Sequence, residues 1–331
     1  MSPMRRATLI ALSLIAGHTV IAQSTSGNGK RWEVVQAQNE PEKRTETAFA
    51  RVGDLFYLVG GRTIKPVEAY DPKQNRWEKR AVVPVEMHHF QAVEHNGEIY
   101  VVGAFTGGYP HETPIPAIYI YNPKKDEWRK GADIPEGRRR GSAGVAAYRN
   151  KIYLFCGIID GHYDGHVSWV DEYDPTKNTW RQLPDAPHAR DHFQAAVQGD
   201  KAYIAGGRLT SAKTGKVINQ TVSAVDVYDF KSQKWMTLPE ADTIPTRRAG
   251  STSIPYGNKI LVIGGESDRQ KKAHNQTEVL DTKTLKWETW APMQIGRHAT
   301  QAIIYKNNVY IVAGTGNQGG SPELNSMEVM K

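Results

Sequence analysis

Cysteine is almost absent. Cys156 is the single one among 331 residues, which excludes an internal disulfide framework and leaves stability to core area alone. Its setting, the apolar run KIYLFCGI, reads as a buried free thiol, and so deep a position excludes a lipid-attachment cysteine behind a leader. Long apolar runs are also missing, except ATLIALSLIAG near the start, so no other segment could span a bilayer. That run follows Arg5 and Arg6 and precedes Val20 and Ala22, small residues before Gln23. Residues 1–22 therefore read as a secretory signal peptide and 23–29 as a flexible segment, with the rest expected to be exported, secreted or periplasmic, and without a membrane span after cleavage. Runs of one charge sign are scarce. The formal charge is +7, falling to +5 without the two leader arginines, and the only basic triplet is Arg138, Arg139 and Arg140. This excludes a nucleic-acid stripe, while the mild excess favours an anionic partner. No shift in composition marks a second domain.

What the sequence does contain is a repeat. LFYLVGGR, EIYVVGAF, KIYLFCGI, KAYIAGGR, KILVIGGE and NVYIVAGT are strand-like runs that end at a small pair. Each is followed by one of VEAYDP, IYIYNP, VDEYDP, VDVYDF, TEVLDT or MEVMK, and then by Trp77, Trp128, Trp180, Trp235 or Trp287, except in the sixth copy. KRWEVVQ around Trp32 matches NRWEKRA around Trp77. The N-terminal segment is thus expected to supply the outermost strand of the last unit, which removes the open sheet edges. The pattern resembles the kelch repeat, whose period is about 50 residues. The resemblance covers residues 30–331 and rests on the glycine pairs 60–61, 206–207 and 264–265, on Tyr70, Tyr173 and Tyr228, and on the tryptophans. Gly103-Ala104, Cys156-Gly157 and Ala313-Gly314 depart from the glycine pair, and Leu280 and Met330 from the tyrosine. The implied fold is all-β, a six-bladed β-propeller of four-stranded antiparallel blades closed by the N-terminal strand, and a monomer is expected.

Just before each inner strand, in register, stand Arg44, Met87, Arg140, Arg190, Arg248 and Arg297, and two residues further on Glu46, His89, Ser142, His192, Gly250 and Ala299. Two residues before each tyrosine position stand Glu68, Tyr119, Asp171, Asp226, Glu278 and Glu328. The exceptions, Met87 and Tyr119, share one unit. Each arginine is therefore expected to be answered by a carboxylate of its own or an adjacent blade, although long arginines could also reach a ligand. His89, His192 and Glu46 are the candidate proton carriers, because imidazole titrates near neutrality. Arg139, Arg140, Arg190, Asp191, Arg247, Arg248, Arg297, His298, His162, Tyr163 and Glu266 are the candidate ligand contacts at the mouth. Strand alternation is expected to send Asp191 and His192 to opposite sides.

The third long loop, GIIDGHYDGHVSW, carries Asp160, His162, Asp164 and His166 at alternate positions, which in an extended loop would face one way and could cage a metal. No cofactor is otherwise expected. Tyr109, Tyr163 and Trp169 offer aromatic faces for sugar stacking. Ser142 in RRRGSAG lacks the strand-to-helix elbow of a nucleophile. The favoured function is an exported propeller that binds an anionic small molecule or acidic saccharide at its mouth. The resemblance also implies two alternatives: an enzyme like the exported six-bladed kelch proteins that isomerise sialic acid, of sugar-acid isomerase or mutarotase type, and a protein-interaction module. A copper radical oxidase of the galactose-oxidase type, also kelch-like, fits the pattern poorly, since those enzymes use seven blades and a cysteine crosslinked to tyrosine, whereas Cys156 occupies a blade-interior slot.

Overall fold

A computed structural model describes residues 29–331. The expected signal peptide, residues 1–22, and residues 23–28 lie outside the described residues. The chain forms six four-stranded antiparallel sheets, with two small two-stranded hairpins in the loops of blades 2 and 3. The inner strands Thr47–Val52, Ala92–His95, Gly144–Tyr148, Ala195–Gln198, Thr252–Tyr256 and Ala302–Tyr305 open blades 1 to 6. Each packs beside the next, and the sixth packs beside the first, so the sheets close around one axis. No described helix is long and apolar enough to cross a membrane.

Closure follows the repeat register. In blades 1 to 4 a third-strand tyrosine lies opposite the fourth-strand tryptophan, as Tyr70↔Trp77, Tyr121↔Trp128, Tyr173↔Trp180 and Tyr228↔Trp235. Blade 5 pairs Leu280 with Trp287. In blade 6 the partner of Met330 is Trp32, and Trp32–Val35 pairs antiparallel with Met327–Met330. Trp32 is 1% exposed, and its indole donates to Thr277 Oγ1 of blade 5 at 3.1 Å. The N-terminal strand thus fills the same wedge between blades that Trp77 or Trp180 fills elsewhere.

The expected ion pairs are present, each within its own blade. Arg140 meets Asp171 at 2.7 Å, Arg190 meets Asp226 at 2.5 Å, Arg248 meets Glu278 at 2.6 Å and Arg297 meets Glu328 at 2.8 Å. Arg44 meets Glu68 in the same way. All five guanidinium groups are buried, and each also donates to the carbonyl of the first residue of the small pair: Gly60, Cys156, Gly206, Gly264 or Ala313. In blade 2, Met87 and Tyr119 meet in one apolar cluster instead. The small pair follows from the same junction. A Cβ on Gly264 would lie 2.2 Å from the Arg297 carbonyl oxygen, and its φ is +66°, so glycine alone fits without a shift. Cys156 holds the equivalent place in blade 3, buried and free; burial pushes its thiol up to about 12.

Two substitutions check this scaffold by urea unfolding. Trp32→Ala is expected to cost about 3–5 kcal/mol, as for a large buried side chain. Glu278→Gln leaves Arg248 buried without a counter-charge and is expected to cost a comparable amount, about 3–5 kcal/mol. An unchanged midpoint in the first would refute closure by this strand, and in the second a structural role for the pair.

Candidate functional site

Each blade begins with the same irregular turn. Glu46, His89, Ser142, His192, Gly250 and Ala299 all have left-handed φ, between 51° and 64°. The turn costs about 1 kcal/mol or more per non-glycine residue, and a ring of inter-blade hydrogen bonds offsets that cost. The amide of His89 donates to Glu46 O at 3.0 Å, Ser142 to His89 at 2.8 Å, His192 to Ser142 at 2.9 Å, Gly250 to His192 at 2.6 Å and Ala299 to Gly250 at 2.9 Å. Thr47 closes the circle by donating to Ala299 O at 3.2 Å. These residues and their successors line a pocket on the axis.

Beneath it, three glutamines bridge alternate blades. Gln91 donates to Ala195 O at 2.9 Å, Gln194 to Thr300 O at 3.0 Å and Gln301 to Ala92 O at 3.0 Å. They separate the axial pocket from an apolar recess at the other end, lined by Ala92, Ala146, Ala195, Ile254 and Ala302. The sequence reading missed them, though HHFQA, DHFQA and HATQA carry the glutamine at one fixed place.

Three imidazoles converge over this floor. The ring centroids of His89, His162 and His192 lie 4.8 to 5.1 Å apart, and all three are buried. His192 Nδ1 lies 2.5 Å from Asp191 Oδ1. This corrects the expectation that neighbouring residues there face opposite ways. The left-handed φ of His192 breaks the alternation, and the inner strand starts only at Ala195. Asp191 also accepts from the Thr210 amide at 2.9 Å and hydroxyl at 2.5 Å. His162 Nδ1 lies 2.7 Å from Glu112 Oε2, and Glu112 accepts from Arg62 at 2.5 Å. His89 Nδ1 lies 2.6 Å from His88 Nδ1, while His88 Nε2 meets Gly107 O at 3.0 Å. On the other side of the rings, Nε2 of His162 and of His192 are 3.2 Å apart, and Nε2 of His89 is 2.9 Å from Glu46 Oε2 without a well-directed hydrogen bond. Burial pushes His89 well below, and His192 below, the ordinary imidazole range. Such a set of nitrogens could hold a transition-metal ion. Glu112 and Thr210 were not anticipated, because they sit on loops whose lengths differ from blade to blade; His88, in register with Asp191 and His298, and Arg62, in register with Arg208, stand at repeated positions and were overlooked.

Other predicted contacts lie elsewhere. Arg140, Arg190, Arg248 and Arg297 are spent in the buried ion pairs described above. Arg139 donates to Ile134 O at 3.1 Å, and exposed Arg247 lines an outer groove with Arg269 and Lys286. His298 Nε2 meets the carbonyls of Asn317 at 2.8 Å and Gly319 at 3.0 Å. Glu266 pairs with Arg208 and accepts from the Gly319 amide at 2.9 Å. Tyr163 packs against His111 at a tilt, with 4.1 Å between centroids. The loop bearing Asp160, His162, Asp164 and His166 is not extended. It is a hairpin pairing Asp160 with Asp164, so its side chains diverge: Asp160 bonds His111 at 3.0 Å, Asp164 meets Lys213 at 2.9 Å, and only His162, at the tip, reaches the axis.

The fold and the axial pocket define a six-bladed propeller of kelch type, and comparisons agree. The family described as the KLHDC2/KLHL20/DRC7 Kelch-repeats domain matches residues 91–314. Kelch-like protein terF of Aspergillus terreus is 31% identical over 289 residues, covering 82% of this chain and 61% of that protein. Human Kelch-like protein 23 is 25% identical over 290 residues, covering 83% of this chain and 48% of its own length. The chain thus spans between about half and three-fifths of these two relatives. The solved structure titled "Structure of YjhT" superposes with a TM-score of 0.73 at 17% identity, covering 87% of this chain and 95% of that one. The chain belongs to the kelch-repeat family. Its fold supports a role of the protein-interaction-module type.

The Glu266 network gives a pH prediction. Burial raises this carboxyl, but the charges of His298 and Arg208 and the Gly319 amide outweigh it and hold it at about 2. A folded value below the unfolded one contributes stability at high pH that is lost as pH falls. The stability gap between wild type and Glu266→Gln is therefore expected to be constant above about pH 4.5 and to shrink toward pH 2. Urea melts at stepped pH check this; a constant gap throughout would refute it.

Proposed function

We propose that the protein binds a small acidic saccharide in the axial pocket. The observation that carries this is a pocket lined by Ser142, His89 and Glu46, in which the buried Ser142 Oγ has no hydrogen-bond partner and His89 Nε2, beside Glu46, has no well-directed one. Buried polar groups are ordinarily satisfied, and hydroxyl donors beside imidazole suit a polyhydroxylated ligand. The small residues Gly250 and Ala299 leave the side of blades 5 and 6 open beside Glu46, His89 and His192. Above it, Tyr109 is 59% exposed and packs on His162 at 5.3 Å, a face for a sugar ring. With the arginine collar internally paired, the imidazoles and hydroxyls of the pocket are the groups left to meet an acid group. The leader-like residues 1–22 suit an exported binder.

One observation favours turnover as a second reading. Glu46 and His89 meet at 2.9 Å beside the pocket, a carboxylate and an imidazole placed for general acid–base exchange on a sugar acid, as in an isomerase or mutarotase. Anomer exchange by NMR would then slow by about 100-fold or more in Glu46→Gln; a rate equal to wild type removes this reading.

Calorimetric titration with glucuronate is expected to show one site, with glucose at least about tenfold weaker, or about 1.4 kcal/mol. Ala299→Leu fills the open side and is expected to weaken glucuronate by at least about tenfold while melting as wild type does. Equal binding of both sugars, or no effect of Ala299→Leu, would contradict the proposal.

A further inference from the structure

We infer that the axial pocket is a metal centre, in which Nε2 of His89, His162 and His192 hold one divalent transition-metal ion beside the Glu46 carboxylate. The argument begins with the protons. Asp191 already accepts three hydrogen bonds, two from Thr210 and one from His192 Nδ1, so it is ionised and His192 carries its proton on Nδ1. Glu112, clamped between Arg62 and His162 Nδ1, fixes His162 in the same tautomer. His88 Nε2 donates to Gly107 O, so its Nδ1 accepts from His89 Nδ1. With the hydrogen of each ring placed on its outer nitrogen, Nε2 is the atom free to act as a ligand. Two of these atoms lie 3.2 Å apart, and the third is buried without a well-directed hydrogen bond next to a carboxylate. Lone pairs so arranged repel unless a positive charge sits among them.

Charge balance points the same way. Glu46, Glu112, Asp191 and Glu266 surround the site, against Arg62 and Arg208. With Glu266 answered by Arg208 and by His298 at 3.6 Å, the carboxylates that touch the imidazoles, Glu46, Glu112 and Asp191, still outnumber the cations left to them, in a buried region where an uncompensated charge is costly. A bound cation offsets that excess.

The geometry fits. Among the described residues, the candidate ligand atoms of these three histidines lie within 4.8 Å of one another. Four-coordinate metal–nitrogen bonds of about 2.0–2.1 Å place ligand atoms about 3.3–3.4 Å apart, close to the 3.2 Å between His162 and His192. Carboxylate and imidazole partners on the outer nitrogens are the supports that orient metal-binding histidines. Three imidazoles without a thiolate select zinc, cobalt, iron, nickel or copper over calcium or magnesium. The inference deepens the saccharide reading, because the ion would give an acid group a positive charge to meet.

The test uses the full chain, stripped with a chelator and titrated with Zn²⁺ alone by calorimetry, and with Co²⁺ by visible absorption. One equivalent of Zn²⁺ and an intense four-coordinate Co²⁺ spectrum are expected. His162→Gln is expected to weaken Zn²⁺ by at least about 100-fold and Glu112→Gln by about 10–100-fold, while His166→Gln, in the same hairpin, binds as wild type. Melting curves of each variant confirm folding, and Glu112→Gln serves where His162→Gln does not fold. Failure of the folded wild type to take up Zn²⁺, or wild-type affinity in both His162→Gln and Glu112→Gln, overturns the centre and leaves a shared proton between the imidazoles. Zn²⁺ uptake without glucuronate binding upholds the centre and sinks the saccharide reading; glucuronate bound by protein that takes up no Zn²⁺ does the reverse.

Discussion

Around the axis runs a circle of backbone hydrogen bonds, each blade's left-handed turn donating to the turn before it. The rest of the molecule is arranged so that this circle can close. The arginine two residues earlier is buried against its own blade's carboxylate and the small-pair carbonyl, which fixes where the turn starts. The small pair lets the next blade's backbone approach, as at Gly264 and Arg297. Trp32 completes the sixth blade, so that the last turn meets the first. Each such hydrogen bond is worth only about 1 kcal/mol net, but together they make six backbone positions equivalent.

Equivalence of backbone permits difference of side chain. The same turn carries Glu46, His89 and His192 in blades 1, 2 and 4, and Ser142, Gly250 and Ala299 in blades 3, 5 and 6. The large polar groups come from blades 1 to 4, and the open space lies against blades 5 and 6. His162, reaching in from the blade 3 hairpin, covers the gap that Ser142 leaves. The glutamine floor keeps the pocket one-ended. A scaffold of high symmetry thereby holds an asymmetric site, with its chemistry confined to side chains that the ring itself does not need.

The repeat explains what was legible in the sequence and what was not. Strand order, closure through Trp32 and the five arginine–carboxylate pairs all recur with the blade period, so each copy vouches for the others. His89, His192 and Glu46 could be found because they occupy a repeated position. The partners that set their chemistry could not. Glu112 lies in a loop of unlike length, where register carries no information, while His88 and Arg62 hold repeated positions whose side chains differ from blade to blade, so the repeat does not tell their roles. His162 drew notice as part of a linear metal loop, but pairing of Asp160 with Asp164 folds that loop back and sends it to the axis alone. The contact of Asp191 with His192 was hidden because strand alternation fails at a left-handed residue. The three glutamines were visible in the repeats, but bonds across the axis between alternate blades have no one-dimensional signature.

The central claim is that this ring of turns gathers three imidazole nitrogens to receive one ion. Anomalous scattering from crystals grown with Zn²⁺ tests it most directly. The account predicts a single strong peak on the axis, about 2.0–2.1 Å from Nε2 of His89, His162 and His192. An empty axis, with zinc found only on exposed histidines such as His111, would contradict it.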